Sequence, residues 1–151
     1  MSTTVDTIED LTPLLGQVLG TSSWVEIDQA RVDTFADATD DHQWIHTDPE
    51  RAKSGPFGGT IGHGYLTLSL LIPLWTEILD VRQVGTKVNY GLEKVRFPAP
   101  VPVGSKVRAI ATLTDIKPVA GGVQITIDVV IERDGGDKPV CIATPIFRFY
   151  R

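Results

Sequence analysis

The chain has 151 residues, 42% of them hydrophobic and 22% charged, and a formal net charge of −5 at pH 7. This length predicts one domain over residues 1–151 that folds without a disulfide or a metal, and the acidic balance argues against nucleic acid or an anionic membrane surface as the main partner. Cys141 is the only cysteine, and the N-terminal residues lack the basic and apolar regions of a signal peptide, so we expect a cytoplasmic protein.

The first part of the chain is expected to hold short helices. Residues 7–15 are amphipathic, and residues 24–27 are typical of a short strand. Asp28 can cap a helix that follows it directly, and Asp48 followed by proline is typical of a second helix start.

Residues 64–79 are apolar on nearly every side of a helix. A helix with this pattern is expected to be buried. The rest of the chain must therefore supply the surface that wraps it.

After Val81 the pattern changes to the alternation of strands. The first strand ends at Phe97, and its alternation slips near Gly91, which indicates a bulge. Three further strands are expected over residues 106–116, 123–131 and 139–150, joined by tight turns. One buried helix followed by an antiparallel sheet that curls round it is an α+β architecture.

The segment "DDHQWIH", residues 40–46, contains two of the three histidines of the chain. Three interpretations are open. It can be a solvated loop rich in Asx turns. It can be a metal site in which His42 and His46 are joined by Asp41 or Asp48, although no HExxH spacing is present. It can also hold an Asp–His pair for general acid–base catalysis on a water molecule.

A second candidate feature is "GTIGHGYL", residues 59–66, at the start of the apolar helix. The first amides of a helix have no partner within it, and glycines at 62 and 64 allow a ligand to approach them closely. Such a site can stabilise an oxyanion. The alternative is that the glycines only form the turn and that His63 only caps the helix or packs.

Taken together, these segments resemble the MaoC-like dehydratases, in the (R)-specific enoyl-CoA hydratase group and its nodulation protein N-like branch. The resemblance covers about residues 20 to 150. Three motifs carry it. The pattern S-G-D-x-N-P-[LIV]-H-x-D matches at Asp41, Ile45, His46 and Asp48. The small-residue-His-Gly element matches at Gly62, His63 and Gly64, and F-x-x-P-V-x-x-G matches at Phe97, Pro100, Val101 and Gly104.

The chain departs from the pattern at three positions. Asp40 replaces its glycine, Gln43 its asparagine and Trp44 its proline. Gln43 is longer than asparagine by one methylene, and Asp40 adds a negative charge beside Asp41, so the identity of the working carboxylate is open between them. The number of residues between Asp and His favours Asp41.

The resemblance implies a hot dog fold, usually as a homodimer joined through sheet edges. It implies reversible syn hydration of a trans-2-enoyl thioester, carried by coenzyme A or by acyl carrier protein, to the (R)-3-hydroxyacyl thioester. Asp41 and His46 would be catalytic, and the Gly64 amide would bind the thioester oxygen. Gln43 and His63 are further candidates for substrate binding. No metal or other cofactor is expected.

Two other functions remain open. A hot dog thioesterase shares the fold and the thioester-binding helix terminus but typically lacks the Asp-x4-His element. A non-catalytic partner subunit would only shape an acyl tunnel, and loss of the Asp or the His would be typical of it.

Overall fold

Long antiparallel strands make up most of the second half of the chain, and the helices precede them. A computed structural model describes residues 1–151. Its α-helices are α1 (Gln29–Thr39), α2 (Trp44–Thr47), α3 (Pro49–Ala52) and α4 (Gly64–Ile78), and a 3-10 helix covers Ile8–Leu14. Its strands are β1 (Thr3–Val5), β2 (Val18–Thr21), β3 (Val25–Ile27), β4 (Leu79–Val81), β5 (Thr86–Arg96), β6 (Ser105–Val119), β7 (Gly122–Arg133) and β8 (Cys141–Tyr150).

The main sheet is antiparallel, with the strand order β2-β6-β7-β8-β5 and with β3 also paired to β6. This confirms the predicted antiparallel sheet and the α+β class. A separate pair, β1 with β4, is parallel and was not predicted. The bulge predicted near Gly91 is also confirmed, because the register of β5 against β8 shifts between Asn89 and Gly91.

Helix α4 packs against β2, β6 and β8. One side of it lies in the main core, through Leu66, Leu70, Leu71, Leu74, Trp75 and Ile78. The Trp75 and Phe147 rings stack with centroids 5.4 Å apart. The prediction that α4 is buried on all sides is wrong for the single chain, since Tyr65 is 72% exposed and Leu68 and Ile72 are only half-buried. The sheet of one chain covers one side of the helix, and the other side remains available for a second surface.

Strand β5 forms one edge of the sheet and is exposed along nearly its whole length. Val88, Tyr90 and Leu92 are among the large apolar side chains that it leaves in contact with solvent. An unpaired edge that carries apolar side chains is a template for association with another strand.

None of the helices has the length and the apolar character needed to cross a membrane.

Both predicted helix caps are confirmed. The Asp28 carboxylate accepts a hydrogen bond from the Arg31 amide at the start of α1, and Asp48 accepts one from the Arg51 amide at the start of α3. Helix α1 ends at Thr39, and the next residue, Asp40, has a left-handed backbone with φ 59° and ψ 23°. This conformation favours glycine, which explains physically why a glycine suits the position that Asp40 occupies.

Replacement of Asp40 tests this backbone conformation. We expect Asp40→Gly to leave the free energy of unfolding unchanged or to raise it by up to about 1 kcal/mol, because glycine adopts the left-handed region without steric cost. Asp40→Val should lower it by about 1–2 kcal/mol, since a β-branched side chain is strained there. Urea unfolding at one fixed protein concentration measures both changes. A valine variant as stable as the parent would contradict the left-handed assignment.

Candidate active site

The segment 40–46 turns one of its polar side chains into the protein. Helix α2 begins directly after Gln43 and directs His46 inward, so that its side chain is only 7% exposed. His42 remains on the surface and pairs with Asp37 at 2.9 Å. Gln43 is exposed, and its side chain makes no hydrogen bond with the buried residues. The segment is therefore a solvated loop on one side and part of a buried polar cluster on the other.

The ring of His46 is held by a main-chain carbonyl. Its Nδ1 lies 2.7 Å from the carbonyl oxygen of Ile61. A carbonyl can only accept, so Nδ1 carries the proton and Nε2 of the neutral ring keeps its lone pair. The amide of Ile61 in turn donates to the carbonyl of Ile45 at 3.0 Å, which fastens the segment before α4 to α2.

His63 precedes the first residue of α4 and is only 2% exposed. Its ring stacks on that of His46, with centroids 3.9 Å apart and an interplanar angle of 23°. Its Nε2 donates to the main-chain carbonyl of Asp41 at 3.0 Å, and the Asp41 carboxylate lies 3.9 Å from the same nitrogen. The structure therefore brings together Asp41, His46 and His63, from two segments that are separate in sequence.

Opposing effects act on the charge of His46. Burial lowers the pKa of its imidazole most strongly, and the neighbouring His63 lowers it further. The hydrogen bond to the Ile61 carbonyl and the negative charge of Asp41 raise the pKa, but the net direction is downward. His46 is therefore held in the neutral form, in which Nε2 can accept a proton.

A cleft of about 320 Å³ opens beside this cluster. His46 lies in its wall with Gly64, and apolar residues that include Phe57, Phe97, Val101 and Val140 complete it. The Gly64 amide begins α4 and donates to no group of the protein. The Phe97 ring packs directly over Gly64, where an added Cβ would lie 3.0 Å from it. An imidazole base and a free helix amide thus share one apolar cleft.

The same three residues are the ones that could hold a metal ion. Ligand atoms of Asp41, His46 and His63 all lie within 4.8 Å of one another. This set differs from the one considered from sequence spacing, which paired His46 with His42. Stacked imidazoles direct their in-plane lone pairs side by side and not toward a common point, and a ring nitrogen of each already bonds to a carbonyl. The geometry suits proton transfer better than chelation.

Gln29 is a residue of the site that sequence reasoning missed. Its side chain donates to the main-chain carbonyl of His46 at 2.7 Å. A glutamine in the first turn of a surface helix belongs to none of the recognised motifs, so no sequence signal marked it.

Comparison with known proteins places these features in a family. Over 147 residues the chain is 50% identical to 3-hydroxyacyl-thioester dehydratase Z of Mycobacterium tuberculosis, covering 97% of each chain. It is 42% identical over 139 residues to nodulation protein N of Rhizobium meliloti, covering 90% of this chain and 86% of that one.

Among solved structures, the (R)-hydratase from A. caviae involved in PHA biosynthesis superposes with a TM-score of 0.72 at 24% identity, over 88% of this chain and 94% of that one. At this identity the likeness shows the fold, and it confirms the predicted hot dog architecture. The sequence profile described as MaoC like domain matches residues 10–134. The chain belongs to the MaoC-like domain family.

Proposed function

We propose that this protein is a hydro-lyase that adds water reversibly to trans-2-enoyl thioesters and gives (R)-3-hydroxyacyl thioesters. Its family and its 50% identity to a protein named 3-hydroxyacyl-thioester dehydratase Z support this class of reaction. The observation that carries the proposal is the pairing in one cleft of a neutral His46, whose Nε2 is free, with the unpartnered Gly64 amide.

The base for the attacking water is His46, with Asp41 beside it. Nε2 accepts a proton from the water as its oxygen bonds to C3 of the enoyl group. The Asp41 carboxylate is 49% exposed, so it can reach a water held at the mouth of the cleft. Since burial keeps the pKa of His46 low, the ring is ready to accept this proton at neutral pH.

The proton that C2 requires is the one that His46 took from water: it passes to C2 through the Asp41 carboxylate, so both residues return to their starting forms. As the C2–C3 double bond is lost, the hydroxyl group joins C3 and a proton joins C2, so one water molecule is added in total. Delivery of both groups from one wall of the cleft gives syn addition. Negative charge that develops on the thioester oxygen is stabilised by the Gly64 amide at the start of α4.

The two remaining candidates differ in accessibility. His63 is almost fully buried and donates to the Asp41 carbonyl, which favours a role in holding Asp41 over direct contact with substrate. Gln43 is exposed beside α2 and remains a prediction for a polar contact with the thioester. The apolar cleft suits the acyl part of a coenzyme A or acyl carrier protein thioester. The reaction as proposed requires no metal and no redox cofactor.

Incubation with crotonyl-CoA tests the reaction. We expect enoyl absorbance to fall without release of free thiol, and chiral analysis to give the (R)-3-hydroxy product. Thiol release at a comparable rate would support the thioesterase alternative, and an inert protein would support the non-catalytic partner subunit. An (S) product would contradict the stereochemical assignment. The same assay after exhaustive chelation should give an unchanged rate.

Substitution of the acid–base pair tests its residues. Asp41→Asn and His46→Gln should each lower kcat by about a hundredfold to ten-thousandfold, because general acid–base catalysis contributes rate factors of this size. His42→Gln is the matched control and should stay within several-fold, since the His42 side chain hydrogen-bonds only with the exposed Asp37. Full activity of Asp41→Asn together with loss of activity in Asp40→Gly would assign the role to Asp40 instead.

We further propose that the protein works as a homodimer in the cytoplasm, with residues 1–151 as one domain. The unpaired edge β5 and the apolar side of α4 meet at a groove of about 390 Å³ that includes Leu68, Ile72, Leu92 and Phe147. Pairing of β5 with its copy would satisfy the exposed main-chain hydrogen-bonding groups and cover this groove.

A single continuous core supports one domain, and the lone Cys141 thiol suits a reducing compartment.

Light scattering tests the assembly. We expect a mass twice that of the 16.5 kDa chain at micromolar concentration. Leu92→Lys should shift the mass toward the monomer by placing a charge in the groove. Leu15→Lys is the matched control, because Leu15 is similarly exposed but lies in the turn after the 3-10 helix. A monomeric parent protein with full activity would overturn the proposal.

A further inference from the structure

We propose that Gln29 is a positioning residue that holds His46 in its working orientation by connecting the main chain of α2 to the segment before α4. The inference rests on the proposed role of His46 as the base. It concerns a residue outside the motifs of the family resemblance.

The nitrogen and the oxygen of the Gln29 side-chain amide each make a hydrogen bond that joins these two segments. Its Nε2 donates to the carbonyl of His46 at 2.7 Å, and its Oε1 accepts from the Thr60 hydroxyl at 2.7 Å. The orientation of the amide follows from its partners, because the His46 carbonyl can only accept and must face the nitrogen. Thr60 itself is only 8% exposed, so its hydroxyl would lose a buried partner without Gln29.

These bonds close a ring around the base. Thr60 is covalently followed by Ile61, whose carbonyl accepts from Nδ1 of His46 at 2.7 Å. The ring therefore runs from Gln29 to the main chain of His46, through its imidazole to Ile61, and back through Thr60 to Gln29. Each hydrogen bond of the ring limits the movement of the groups in the others, which fixes the direction of the lone pair on His46 Nε2.

The Gln29 amide completes the ring because it both donates and accepts. A carboxylate cannot donate to the His46 carbonyl, and an aliphatic side chain can neither donate nor accept. The second N–H of Gln29 donates to Asp33 at 2.9 Å on the exposed surface of α1. This third bond provides an internal control, because it involves the same amide but lies outside the ring.

Release of the ring would misplace the base and weaken its bond to Ile61. A displacement of about 1 Å in a reacting group can cost a hundredfold in rate. The charged or titratable groups that face His46 are Asp41 and His63, and neither depends on Gln29 for its contacts. The bond to the Ile61 carbonyl favours the protonated ring, so its weakening should lower the pKa of His46. The acidic limb of kcat/KM should then move to lower pH.

Four single variants and one double variant of the otherwise intact protein test this role. With crotonyl-CoA as substrate, Gln29→Met and Thr60→Val should lower kcat by about tenfold to a hundredfold, with KM changed by less than about threefold. Thr60→Ser keeps the hydroxyl and should restore most of kcat, and Asp33→Ala should remain within about threefold of the parent. The double variant Gln29→Met, Thr60→Val should be no slower than the worse single variant, because both open the same ring.

A purely structural role predicts a different result. In that case kcat would fall only in proportion to the folded fraction measured by circular dichroism, the pH profile would not move, and Thr60→Ser would not differ from Thr60→Val. A Gln29→Met variant with the kcat and pH profile of the parent would overturn the inference.

A measurement without turnover separates this inference from the proposed function. The ¹⁵N chemical shifts of the His46 ring in labelled protein report its tautomer and its titration. If the inference is correct, Gln29→Met lowers the population with the proton on Nδ1, whereas Asp33→Ala does not, even if the parent protein fails to hydrate crotonyl-CoA. Unchanged shifts in Gln29→Met would overturn the positioning role whatever reaction the protein catalyses.

Discussion

Burial of helix α4 against the sheet is the constraint on which the rest of the structure depends. Each large apolar side chain on its buried side contributes about 1.5–3 kcal/mol when it is removed from water, so the helix cannot leave the sheet without a large loss of stability. Its docking also fixes where it begins. Main-chain hydrogen bonds from Gly62 to Val101 and from Val103 to Thr60 fasten the segment before the helix to the segment before β6. The start of α4 is thus held on two sides, and the Gly64 amide opens into the cleft as a result.

The site is held mainly by main-chain carbonyls, not by charged side chains. The Ile61 carbonyl accepts from His46, and the Asp41 carbonyl accepts from His63. A carbonyl does not titrate, so the Ile61 oxygen remains an acceptor for His46 whether the imidazole is neutral or charged. The Asp41 carboxylate is consequently free of a structural hydrogen bond and half-exposed, which leaves it available to a substrate or to water.

The sequence predicted those elements in which local chemistry decides the structure. Alternation and turn residues indicated the long strands, the slip near Gly91 indicated the bulge, and Asp28 and Asp48 marked helix starts. The short strands β1, β2 and β4 were not predicted, because their formation depends on pairing with strands distant in sequence. The partly exposed side of α4 was also missed, since apolar character alone does not distinguish burial in one chain from burial between two.

The same distinction applies to the site. The fixed spacing between Asp and His in the family motif marked Asp41 and His46 in the sequence. The contact between His46 and His63 arises only when α2 and the start of α4 meet in space. The hydrogen bonds of Gln29 to His46 and Thr60 form only when a third segment, the start of α1, packs against the other two, so no local sequence pattern could reveal them. Residues that position His46 without contacting substrate are found by tracing the hydrogen bonds of His46 in the structure. Sequence spacing carries little information about them.

The opposing effects on His46 bear on its proposed role as the base, in which the imidazole would gain and lose a proton in each cycle. Burial and the neighbouring His63 disfavour the cation and keep the ring neutral before reaction. The Ile61 carbonyl and Asp41 favour the cation, so they stabilise it once a proton has arrived. Burial opposes protonation of the ring, and the two stabilising groups offset part of that effect. The proposed role requires both sets of contacts at once, and the fold supplies them by bringing α2, the segment before α4 and the residues after α1 together at one side of the cleft.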